Sequence, residues 1–227
     1  MKDNIPNNKK IILDLCGGTG SWSLPYKEAG YDVRIITLPD YDILKTDFVN
    51  DKLIQFHGAS DVYCGVEVSE VYGILAAPPC TQFSFARTTA RTARDLEGGM
   101  EIVEMCLRII WFCQYNLESK NAKDTSLKFW ALENPVGLMK RFLGHPVMIF
   151  NPWMWGDMYQ KPTCLWGYFN KPELEVREYM VSRADKLNLR KLPELPKGYK
   201  SPVESVMKSR RGMTPKGFAE AFFRSNK

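Results

Sequence analysis

A chain of 227 residues, 44% hydrophobic and 25% charged, is long enough for one α/β domain with a substantial core and too short for two of full size. This composition excludes a disordered chain, and no apolar run approaches the ~20 residues of a membrane span. The net charge of +5 is uneven: residues 161–227 hold 15 Lys and Arg against 7 Asp and Glu, a net +8, while residues 1–160 carry −3. A basic C-terminal third suits a polyanion, with a solvated basic face as the alternative.

Residues 1–10 are polar, with three lysines and no apolar core, so neither a signal peptide nor an anchor is expected and the protein is expected in the cytoplasm. Ile11 to Leu15 form a short apolar run closed by Gly17, Gly18 and Gly20, and Trp22 to Ala29 have helical character; this reads as strand, glycine turn, helix. Val33 to Thr37, rich in β-branched residues and stopped by Pro39, predict a second strand. A third run, Tyr72 to Ala77, ends at Pro78-Pro79. Residues Gly98 to Leu117 predict a long helix, with Ile102, Met105, Cys106, Ile109, Ile110 and Cys113 at spacings of three and four. Phe129 to Leu132 predict a further buried strand closed by Glu133-Asn134-Pro135. Residues Asn170 to Lys208 lack periodicity and read as an irregular basic insertion, and Thr214-Pro215 open a final amphipathic helix with threonine as its cap.

Alternating strands and helices predict a mostly parallel sheet covered on both faces, with ligands beyond the carboxyl ends of its strands. The endings after Leu15, Ala77 and Leu132 should therefore share one rim. Six cysteines without a C-x-x-C pair, and only two histidines, argue for reduced thiols and no metal site.

Three of these endings carry chemistry. Asp14-Leu15-Cys16-Gly17-Gly18-Thr19-Gly20 supplies glycines where a backbone turns tightly and approaches a ligand. A turn of this kind fits a dinucleotide, S-adenosylmethionine or a purely structural role, and its spacing is not G-x-G-x-x-G. Asp40 and Asp42, in the loop after the second strand, are the nearest acids for cofactor hydroxyls. In Pro78-Pro79-Cys80-Thr81-Gln82-Phe83-Ser84 two prolines fix the backbone past a strand end and present a cysteine. A thiolate matches an electron-poor C=C bond of a pyrimidine. Arg87, Arg91 and Arg94 then follow among small residues, as phosphate contacts or a solvated face. Glu133, on the same rim, is placed to hydrogen-bond a ring nitrogen and donate a proton to it.

These three segments, the last extended to Val136, resemble successive motifs of the DNA cytosine-5 methyltransferases, in that family's order, over roughly residues 10–140. The resemblance implies a Rossmann-like S-adenosylmethionine-dependent methyltransferase fold. It implies that Cys80 adds to C6 of cytosine, that Glu133 engages N3 and the amino group, and that a methyl group passes from S-adenosylmethionine to C5 of a flipped-out base. Asp14, Cys16, Gly18, Thr19, Gly20, Trp22 and Pro79, with Asp40 and Asp42, would then hold the donor, and Gln82, Ser84, Arg87, Arg91, Arg94 and Thr163 would face DNA. Gly156 to Cys164 resemble the family's Gln-x-Arg-x-Arg segment with Pro162 and Cys164 at the arginine positions, so that Lys161 or Thr163 takes over part of that role. The segment from 170 to 208 stands where the family has a longer target-recognition region, as in small phage or prophage members. Residues 1–169 and 209–227 would be the catalytic domain of a monomer in a bacterial or phage-infected cell. A DNA-binding member of low activity, and an enzyme acting on RNA or a nucleotide, are the alternatives.

Overall fold

The computed structural model describes residues 5–59, 62–85, 87, 91–115, 127–176, 192–197, 199 and 206–227. In chain order its elements are β1 (Ile11–Leu15), α1 (Leu24–Glu28), β2 (Asp32–Ile36), β3 (Tyr41–Val49), β4 (Leu53–Gly58), β5 (Tyr63–Glu67), β6 (Val71–Ala76) and α2 (Leu96–Gln114). After these come β7 (Phe129–Pro135), α3 (Lys140–Leu143), β8 (Met148–Phe150), β9 (Thr163–Tyr168), α4 (Val206–Gly212) and α5 (Lys216–Ser225).

Six strands form one sheet in the order β2-β1-β6-β7-β9-β8. The first four are parallel, β9 runs antiparallel to β7, and β8 runs antiparallel to β9. Every residue of β1 is buried, as a central strand covered on both faces requires. Side chains alternate between two cores. Leu13, Leu15, Ile74, Ala76 and Leu132 pack with Val103, Cys106, Ile109 and Ile110 of α2 on one face. Ile12, Leu75, Phe129, Ala131 and Leu165 pack with Tyr26 of α1 and Phe218 and Phe222 of α5 on the other. The second core is rich in aromatic rings, with Phe218 stacked on Phe150 at 4.0 Å between centroids and Phe222 edge-on to Phe129 at 5.8 Å. Such pairs add about 0.5–1.5 kcal/mol each beyond the area they bury.

The sequence expectations for β1, β2, β6, α2 and α5 correspond to elements within a few residues, although residues 116 and 117 of the long helix lie outside the described residues. Three points differ. A separate antiparallel sheet, β3-β4-β5, fills the stretch between β2 and β6, and its inward residues Ile54, Phe56, Cys64 and Val66 join the α2 core. Next, β7 continues through Glu133, Asn134 and Pro135, because β9 pairs with it along that whole length. Finally, the threonine cap of the last helix is replaced: Pro215 occupies the cap position without a side-chain bond, and Asp157 Oδ2 accepts the Gly217 amide at 2.9 Å from a remote segment. No helix among the described residues is long and apolar enough to cross a membrane.

Candidate functional site

The parallel run β1-β6-β7 brings the carboxyl ends of three neighbouring strands to one rim. At β1 the chain enters the glycine turn. Cys16 takes a positive φ of 57°, and a Cβ on Gly17 would run into the Asp14 carboxyl group. Gly20 takes φ 70°, which strains any residue with a side chain, and a Cβ there would also press on the tip of Ile35. Gly18 is exposed and opens onto empty space, so a ligand can reach the backbone there. The hydroxyls of Thr19 and Ser21 are hydrogen-bonded to each other.

Asp14 lies beneath this turn, with no solvent exposure. Its Oδ2 accepts the Ser23 hydroxyl at 2.5 Å, and its Oδ1 has no hydrogen-bond partner among the described residues. Burial pushes its carboxyl pKa up to about 7, against the opposing effect of Ser23. Asp14 thus props the turn from inside rather than facing its open side. Trp22 packs between Phe218 and Phe222 of the second core at 2% exposure, also away from the open side of the turn. Asp40 is exposed, while Asp42 falls within β3 instead of a loop and accepts the Leu44 amide at 3.1 Å.

Past β6, Pro78 is buried, Pro79 exposed and Cys80 half-buried. The Cys80 carbonyl accepts the amides of Phe83 and Ser84 at 3.0 and 2.9 Å, closing a tight turn around the cysteine. Asn134, fully buried in β7, donates from Nδ2 to the Pro78 carbonyl at 3.0 Å. That bond ties the cysteine loop to the strand that carries Glu133. Asn134 received no role in the sequence reading, although an asparagine inside a strand is unusual enough to mark it.

Period-two alternation and the pairing Glu133↔Leu165 and Pro135↔Thr163 put Glu133, Leu165 and Thr163 on one face. The pairing continues through the Val136 amide to the Pro162 carbonyl at 2.8 Å, which carries Lys161 to the same place. Lys161 Nζ stands 3.3 Å from Glu133 Oε1, with both side chains largely shielded from solvent. Thr163 is buried and donates its hydroxyl to the Lys161 carbonyl at 2.7 Å, so it shapes the lysine's backbone. Burial pushes the Cys80 thiol pKa up; the Lys161 ammonium pulls it down and the Glu133 carboxylate pushes it up. The three side chains therefore share one electrostatic environment. Tyr159 was missed as well. It is buried at 2%, its hydroxyl has no partner among the described residues, and burial, then Asp157, then Glu133 raise its pKa.

The arginine-rich loop is organised by its own side chains. Gln82 Oε1 accepts from Arg87 Nη1 at 2.8 Å and from the Asp95 amide at 3.1 Å. Arg94 donates to the carbonyls of Gln82 and Ser84 at 2.6 and 3.0 Å. Arg87 also reaches the Thr92 and Ala93 carbonyls, while Arg91 is exposed. Two of the three expected phosphate contacts thus hold the loop in shape. Among the described residues no cluster of three or more metal-ligating side chains occurs. No family model and no curated protein matches the chain.

Proposed function

We propose that this chain is a DNA cytosine-C5 methyltransferase that uses S-adenosylmethionine, built on a Rossmann-like methyltransferase fold. The observation that carries the reading is the grouping of Cys80, Glu133 and Lys161 at the carboxyl rim of adjacent parallel strands. A nucleophile beside an acid-base group in a partly shielded site is what conjugate addition to a pyrimidine needs. Cys80 forms a bond from Sγ to C6 of the flipped base as its thiol proton passes to the Glu133 carboxylate. Glu133 gives a proton to N3 and accepts from the exocyclic amino group, so the charge developing on the ring is neutralised. Lys161 orients the Glu133 carboxylate and favours the thiolate. After transfer, water takes the C5 proton, that electron pair restores the C5=C6 double bond, the C6–Sγ bond breaks to release the Cys80 thiolate, and N3 returns its proton through Glu133.

The glycine turn fits the donor in part. Cys16, Gly18 and Thr19 offer exposed or half-exposed groups beside open space, and Gly20 lets the chain turn beneath them, whereas Asp14 and Trp22 support the turn from the core. S-adenosylmethionine supplies an electrophilic methyl group on a sulfonium.

The test is incubation with labelled S-adenosylmethionine and DNA, RNA or dCMP in parallel. Methyl uptake into DNA is expected, with loss of at least about 10²-fold in Cys80→Ser and near-normal donor binding. A 5-fluorocytosine duplex should trap the wild-type protein covalently. Full activity in Cys80→Ser sinks the mechanism, and uptake into RNA or dCMP alone changes the substrate.

A further inference from the structure

We infer that α3, the short helix that follows the Glu133 strand, forms with Phe85 a nucleobase-stacking platform beside the site; the inference rests on the reading of the chain as a DNA enzyme. Two sequence segments border Cys80 and Glu133. Residues 80–94 contain three arginines and no Asp or Glu, and residues 134–156 contain Lys140, Arg141 and His145 and again no Asp or Glu. Around a site whose own acid is Glu133, these borders are entirely neutral or cationic, which complements a phosphate backbone and repels none of it.

Each segment also displays an aromatic ring. Phe142 is 47% exposed and Phe85 57% exposed, and Arg141 beside Phe142 is exposed too. The backbone that carries Phe142 is held at several points. Met139 is fully buried under α3, the Trp166 indole donates to the Gly144 carbonyl at 3.1 Å, and the Leu138 amide donates to the Phe83 carbonyl at 2.8 Å. An antiparallel bridge joins Ser84 to Gly137, and the Phe142 ring stands edge-on to Phe83 at 6.1 Å. Phe83 in turn bonds the Cys80 carbonyl. The platform is thus fixed relative to the nucleophile through one side chain and two backbone bonds. An exposed aromatic and an arginine, preorganised on a cationic border, are the parts that stack an unpaired base and contact its phosphate. A base neighbouring the extruded cytosine is the occupant the chemistry fits.

Fluorescence anisotropy with a labelled duplex carrying one mispaired cytosine tests this. Phe142→Ala is expected to raise Kd about five- to thirty-fold with an unchanged salt dependence, since stacking is not an ionic contact. Phe142→Trp should restore affinity, which a mere folding defect would not permit. Arg141→Gln should lower the log–log salt slope by roughly one. With an abasic site placed next to the cytosine, the Phe142→Ala defect should vanish. Wild-type-like binding by Phe142→Ala and Arg141→Gln, alongside wild-type binding and methylation, overturns the platform alone. Absence of both binding and methylation of DNA by the wild-type protein overturns the platform together with the enzyme reading.

Discussion

Cys80 experiences opposed influences: burial and the Glu133 carboxylate disfavour its thiolate, and Lys161 favours it, with burial dominant. In the free protein the thiol therefore titrates above its ordinary value of 9.0. Alkylation of Cys80 by iodoacetamide, read by peptide mass spectrometry, should keep rising through about pH 9 without a plateau, because the thiolate is the reacting form. Removing the carboxylate in Glu133→Gln leaves Lys161 unopposed and lowers the pKa; removing the cation in Lys161→Gln does the reverse. A thiolate of lower pKa is also intrinsically less nucleophilic, which cancels about half of the gain. At fixed neutral pH the expected changes are thus about two- to five-fold faster alkylation in Glu133→Gln and a similar slowing in Lys161→Gln. Methyl transfer should fall in both. The divergence between alkylation and turnover in Glu133→Gln is the telling result, and parallel changes in both assays would remove Glu133 from the proton transfer.

At the scale of elements, α5 owes its start to a residue some sixty positions earlier in the chain. Asp157 accepts the Gly217 amide and stands where an N-cap side chain ordinarily would, beside the electropositive end of the helix. Asp157→Ala should lower stability by about 1 kcal/mol, seen as a lower urea midpoint at constant m, and Asp157→Asn, which keeps an acceptor, should lose less. An Asp157→Ala midpoint equal to wild type would show that the helix start needs no such partner. This remote cap could not be seen in the sequence: Thr214-Pro215 has the local signature of a cap, and nothing near it points to Asp157. The parallel strands were legible because each is a short apolar run cut off by glycine or proline. The β3-β4-β5 sheet was harder. Its buried positions alternate in β4 and β5, but β3 interrupts that rhythm with the exposed Leu44 and Lys45. Within the site, Cys80 and Glu133 stood out because their neighbours are distinctive. Lys161 stood out through resemblance alone. Asn134 matters through its bond to the remote Pro78 carbonyl and Tyr159 through its burial near Asp157 and Glu133, contacts that no local sequence pattern shows.

For the whole molecule, the uneven charge is the feature that governs how DNA would be engaged. The C-terminal third carries net +8, of which residues 170–208 supply +3, and most of residues 170–208 lie outside the described residues. Part of that segment is tied to α4: Arg210 donates to the carbonyls of Pro193 and Leu192 at 2.5 and 2.7 Å. Direct reading of several base pairs takes several side chains set rigidly against base edges, each good bidentate contact discriminating by about 1–3 kcal/mol. A segment this short supplies few such side chains, and its lysines and arginines suit phosphates, which give affinity and register but no sequence information. The α3 platform adds stacking, which is equally tolerant of sequence. A short or degenerate target of roughly two to four base pairs is therefore expected, with affinity falling steeply as salt rises. Methylating a pool of random-sequence DNA and mapping the modified cytosines at base resolution measures the first; anisotropy across a salt series measures the second. A long, strictly defined site would show that residues 170–208, or a partner subunit, read base edges directly, and a flat salt dependence would take the basic third out of the interface.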